Sequence, residues 1–119
     1  MRPPSTRPIP AEDIGTCIRV IRKEKVLLDA DLARLYGVTT GRLNEQVKRN
    51  SARFPPDFAF RLNNHELRGL ISQYATSNGR GGVRKRPMVF TEHGAIMAAS
   101  VLNTPRAIQV SVFVVRAFV

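Results

Sequence analysis

The chain has 119 residues, enough for one small domain with a single core but not for two. Its hydrophobic share of 43% is that of a globular protein and excludes wholesale disorder. Nineteen Lys and Arg stand against nine Asp and Glu, a formal charge of +10, and that self-repulsion points to a polyanionic partner. Nucleic acid fits better than an anionic membrane, because the cations do not gather on one amphipathic helix.

Met1 to Asp13 holds four prolines and little hydrophobic pattern. It reads as a flexible arm, drawn to residue 16 as a domain boundary, with residues 17–119 forming the domain. Arg2 and Arg7 in the arm are either solvated charges or DNA contacts. Ile18-Arg19-Val20-Ile21 and Val26-Leu27-Leu28 flank the charged Arg22-Lys23-Glu24-Lys25, which predicts a β-hairpin with a charged turn. Asp29 is placed to cap a helix whose stripe is Leu28, Leu32 and Leu35, and Gly37 ends it. A second helix, roughly Thr40 to Asn50, follows until Phe54-Pro55-Pro56, and Phe58 to Leu62 reads as a short strand.

Asn63-Asn64-His65-Glu66 has the spacing of a capping box, opening a helix with a buried stripe of Leu67, Leu70, Ile71 and Tyr74. Thr76 to Arg86 is a Gly- and Arg-rich loop. Met88-Val89-Phe90 returns as a strand, and Thr91 caps an apolar, central helix through Leu102. Thr104-Pro105 starts a last helix, preferred to a strand because Arg106, Gln109 and Arg116 share one helical side. The order ββααβαβαα defines an α+β single domain.

The segment from Asp29 to Asn50 is the centre of the functional argument. Two short helices cross steeply only around a small contact residue and a tight turn. Ala33 supplies the contact, Gly37 the turn and Leu43 the apolar plug of the second helix, which together predict a helix-turn-helix. At ~100° per residue, Leu43 and Val47 face the core. Gly41, Arg42, Asn44, Glu45, Lys48 and Arg49 face away. Arg42 can pair with guanine and Asn44 with adenine in a major groove. Lys48 and Arg49 suit phosphates, as do the hydroxyls of Thr39 and Thr40. Gly41 permits close approach. Glu45 either pairs internally with Arg49, four residues on, or touches a base. A plain solvated helix face would carry the same residue types, and the net charge favours DNA.

Gly79-Arg80-Gly81-Gly82-Val83-Arg84-Lys85-Arg86 is a second basic feature. Arg80, Arg84, Lys85 and Arg86 either follow a phosphate strand as a wing beside the recognition helix or belong to a solvated loop. No Gly-Lys-Ser/Thr follows, so it is no P-loop. Catalysis finds little support, and the expectation is a protein without enzymatic activity, metal, cofactor or small-molecule substrate. His65, His93 and Cys17 are scattered, and the acids do not cluster as a metal nuclease requires. The lone Cys17 suits a reducing cytoplasm, no signal peptide is visible, and the apolar run from Ala107 to Val119 is too short to span a bilayer. A cytoplasmic, nucleoid-associated protein is expected. In that run Val112, Val115, Phe118 and Val119 are candidates to pack against another copy or a further domain.

Several stretches together resemble the phage "ORF-six N-terminal" domain, a relative of the KilA-N and Bro-N domains of phages and large DNA viruses. They are Val26 to Val38, Leu43-Asn44-Glu45-Gln46-Val47-Lys48-Arg49-Asn50 and Arg53-Phe54-Pro55-Pro56-Asp57-Phe58. Ser72-Gln73, Thr76-Ser77, Arg84, Phe90-Thr91-Glu92-His93-Gly94 and Val101-Leu102-Asn103 extend the likeness. The resemblance implies a DNA-binding domain of phage or prophage origin acting in transcriptional regulation, often placed before a separate effector or antirepressor region. The sequence ends within or just after its last helix, so the expectation is a minimal or shortened member. A protein-interaction module that binds a repressor or host factor is the alternative.

Overall fold

The β-branched and apolar residues after Cys17 pair as an antiparallel hairpin, β1 (Arg19–Ile21) and β2 (Glu24–Leu28). This computed structural model describes residues 11–73 and 86–119. The two-residue turn puts Arg22 and Lys23 at φ 57° and 66°, the left-handed backbone region that matches a tight turn to the right-handed twist of its strands and that non-glycine residues adopt only at a cost. Arg22 is held there. Its Nε and Nη2 donate to the Glu66 carboxylate at 2.7 and 2.9 Å, and its guanidinium lies 4.1 Å over the Phe60 ring. Glu66 also completes the expected capping box of α4 (Asn64–Gln73), with reciprocal 2.8 Å bonds between Asn63 and Glu66. The Arg22 bond holds the Glu66 carboxyl below its ordinary range.

Strands β3 (Ala59–Arg61) and β4 (Met88–Phe90) complete an antiparallel sheet of order β1-β2-β4-β3. Leu27, Phe90 and Ala59 stand in register on one face, and Leu28, Val89 and Phe60 on the other. That alternation divides the core in two. The larger part packs the first face against α1 (Ala11–Cys17), α2 (Asp29–Tyr36), α3 (Thr40–Arg49), α5 (Glu92–Leu102) and α6 (Pro105–Phe118). The smaller joins Val26, Leu62 and Val89 to Leu70 of α4 on the opposite face.

Helix α5 is the central one, as its small apolar residues predict. Gly94, Ala95, Ala98, Ala99 and Leu102 are buried, and Gly94 sits so close to the Phe58 backbone that a Cβ there would fall 1.9 Å from its carbonyl oxygen. The Thr91 hydroxyl accepts from Gly94 N–H at 3.4 Å and donates to the Asp57 carbonyl at 2.9 Å. Helix α6 starts as expected, with Pro105 in the first turn and Thr104 Oγ1 accepting from Ala107 N–H at 3.1 Å.

Three expectations change. Residues 11–17 belong to a helix rather than the arm, because Ile14 is fully buried in the core beside α6. The order therefore gains a leading helix. Ile71 is exposed, since α4 meets the sheet mainly through Leu67 and Leu70. Phe118 turns inward, its ring buried and its carbonyl accepting from Lys25 Nζ at 3.3 Å, so it is not part of an outward patch. Tyr74 and the loop up to Lys85 lie outside the described residues. Among the described residues no helix is long and apolar enough to cross a membrane.

Candidate nucleic-acid interface

The turn between α2 and α3 has the form the sequence predicts. Gly37 is left-handed at φ 75°, and Val38 N–H donates to the Ala33 carbonyl at 3.0 Å, closing the end of α2. Thr39 begins α3, its Oγ1 accepting from Arg42 N–H at 3.0 Å. Ala33 and Leu43 are buried at the crossing. Two bonds tie this pair to the rest of the core. Tyr36 OH donates to the Ala95 carbonyl of α5 at 2.8 Å, and burial raises the phenol's pKa so that it stays a donor. Arg106 Nε of α6 reaches the Leu35 carbonyl at 3.3 Å.

Asp29 was expected to cap α2. The cap position instead falls on Leu28, and the Asp29 carboxylate sits one residue inside as a buried junction. Its Oδ1 accepts from Ala30 N–H at 2.7 Å. Its Oδ2 accepts from Asn44 Nδ2 at 2.9 Å and from Met88 N–H at 3.3 Å. One carboxylate thereby joins α2, α3 and β4, and three donors offset the cost of burying it.

On α3, Leu43 and Val47 are buried while Gly41, Arg42, Glu45, Lys48 and Arg49 are exposed. Arg49 Nη2 donates to Glu45 at 3.1 Å, the internal pairing that their spacing allows. Such an exposed pair adds little stability. Arg42 and Lys48 make no ion pair among the described residues. Thr39 acts as an acceptor toward its own helix and keeps its O–H to donate outward. Thr40 is half-buried. Asn44 departs from the expected role: it is half-buried and committed to Asp29, and its Oδ1 is enclosed without a hydrogen-bond partner among the described residues. It holds the helix rather than standing on its outer face.

Of the basic loop, Arg86 is exposed where the chain enters β4, whereas Arg80, Arg84 and Lys85 lie outside the described residues. Sequence reasoning missed Arg61. It pairs with Met88 at the end of β3, on the sheet face that packs the helices, and Nη1 donates to the Arg86 carbonyl at 2.6 Å. The signal was present: Ala59 is the small inward residue of β3, and period two carries its face to Arg61. An open groove of about 660 Å³ runs between α3 and this sheet edge, with Gly41, Asn44, Lys48, Arg61 and Met88 in its lining.

The family model described as the ORF6N domain matches residues 16–101, well over half of the chain. No curated protein and no solved structure matches it significantly. The matched span runs from the end of α1 through α5 and so contains the whole α2–α3 pair and the sheet. The chain belongs to the ORF6N family, a phage-type domain family.

Proposed function

We propose that the chain binds duplex DNA with α3 in the major groove and acts in transcriptional control. One observation carries the reading. Helix α3 buries only Leu43 and Val47 and turns Arg42, Lys48 and Arg49 outward, with Glu45 the one acid among the exposed residues of the helix. An exposed basic helix on a rigid two-helix support is the shape that enters a major groove. The excess of ten positive charges in the chain supplies the attraction to phosphate. Family membership is compatible with the same role.

The contacts divide by chemistry. Arg42, in the first turn and without an ion-pair partner among the described residues, is the candidate to read guanine. Lys48, Arg49, Thr39 and Thr40 are candidates for phosphate. Fluorescence anisotropy against mixed-sequence duplex DNA from about 50 to 200 mM salt tests the reading. Binding that falls steeply with salt supports it. Arg42→Ala is expected to weaken binding by roughly tenfold and to change the ranking of sequences, a bidentate base contact being about 1–3 kcal/mol. Lys48→Ala is expected to weaken all duplexes alike and flatten the salt slope by about one. No binding at the low-salt end refutes the reading.

A second reading, a protein-interaction module, is favoured by one observation. Ile108, Val112 and Phe113 stand 51, 49 and 40% exposed on α6. Ile108, Val112, Val115 and Val119 are spaced four, three and four, the period at which paired helices meet. On that reading α6 pairs with a second copy. Light scattering would show a dimer that Val112→Glu dissociates.

A further inference from the structure

The groove beside α3 has two walls of different origin. One is the recognition helix, contributing Gly41 and Lys48, and the other is the sheet edge, contributing Arg61 and Met88. Two residues of the lining, one from each wall, bond to a single atom, Asp29 Oδ2, which accepts from Asn44 on the helix and from Met88 N–H on the sheet. The spacing of the walls is therefore set by the fold before any ligand arrives, which reduces what binding must order.

We propose that this groove seats one sugar–phosphate strand of the duplex, with Arg61 and Arg86 as phosphate ligands. The inference rests on the DNA reading of α3 and extends it to the sheet. A sugar–phosphate strand offers alternating apolar sugar faces and anionic oxygens. The groove answers both, with Val47, Phe54 and the half-buried Met88 as apolar lining and cations on the two lips. Arg61 makes no ion pair among the described residues. Among the described residues its guanidinium makes one hydrogen bond, to the Arg86 carbonyl, which uses one of five donors and sets Arg86 beside it. The acid in the lining, Glu45, is already bonded to Arg49. Gly41 completes the case: a Cβ built there meets nothing within 4 Å, so the fold itself does not require a glycine at this point of the helix. On this proposal the glycine serves the close approach of the strand to α3. Gly15 and Gly69 are equally open but stand on other helices.

The test is anisotropy with a mixed-sequence 20-base-pair duplex, about 50–200 mM salt, for the whole chain and its variants. Arg61→Gln is expected to bind about eightfold more weakly at 0.1 M salt and to lower the salt slope by about one, the counterion release of one phosphate. It leaves the ranking of different duplexes unchanged. Arg61→Lys keeps the slope. Gly41→Ala weakens binding while its melting temperature stays level or rises, an outcome that a merely structural glycine would not give. Should Arg61→Gln fail to melt cooperatively, Arg86→Gln, with an exposed side chain, carries the same expectation. Wild-type slope in these glutamine variants, beside weakened binding in Arg42→Ala, overturns the groove and leaves the helix reading standing. A wild-type chain that binds no duplex overturns both.

Discussion

Helices α3 and α5 are nearly equal in length and open with the same device, a threonine whose hydroxyl accepts from the N–H three residues on. Their fates differ. Helix α5 buries five residues and lies so close to the Phe58 backbone that Gly94 admits no side chain. Helix α3 buries two and leaves its glycine in open space. Eight of the eleven α5 residues are buried or half-buried, with His93, Ile96 and Ser100 left exposed. The exposed residues of α3 are not explained by the fold, and what the fold leaves unexplained is where a partner is to be sought.

The two glycines give the largest contrast. Gly94→Ala drives a methyl into a backbone carbonyl that cannot rotate away, and is expected to cost about 3 kcal/mol or more. Gly41→Ala meets no atom and removes glycine's entropic cost in a helix, so stability should rise by up to about 1 kcal/mol. Thermal or urea melts of both variants check the pair, and equal losses would erase the contrast.

The threonine caps sharpen it at a smaller scale. Thr39→Ala deletes one exposed capping bond, for an expected loss of about 1 kcal/mol. Thr91 is buried and also donates to the Asp57 carbonyl, which its removal leaves unsatisfied, so Thr91→Ala should lose about 2 kcal/mol. Equal losses in urea unfolding would mean that burial adds nothing to the α5 cap. The smallest expected effect on stability is that of Arg42→Ala, within about 0.5 kcal/mol, because this exposed side chain makes no ion pair among the described residues. A larger loss in the same melts would place Arg42 in the structure rather than on its outer face.

The elements that the sequence announced are those specified by local chemistry. Gly37, the Asn63–Glu66 box, Thr91-Glu92-His93-Gly94 and Thr104-Pro105 each act within a few residues, and each appears where its pattern placed it. The misses all depend on distant partners. Ile14 looks like one apolar residue at the end of a proline-rich arm until α6, almost a hundred residues on, covers it. Asp29 and Asn44 have the residue types of a cap and of a base reader, and only the arrival of β4 makes them a junction. Arg61 is one arginine among many until the register of β3 with β4 turns it toward α3. Arg42, Lys48 and Arg49 were legible as an outer face because Leu43 and Val47 fix the phase of the helix.

We propose the outer face of α3 as the surface that meets DNA. The most direct measurement is a 15N–1H correlation spectrum of the labelled chain, titrated with a mixed-sequence duplex at low salt. The backbone amides of Thr39 to Arg49 are expected to shift most, joined by those near Arg61 and Arg86, while those of α5 stay in place. Shifts confined to the exposed row of α6, or none at all, would contradict it.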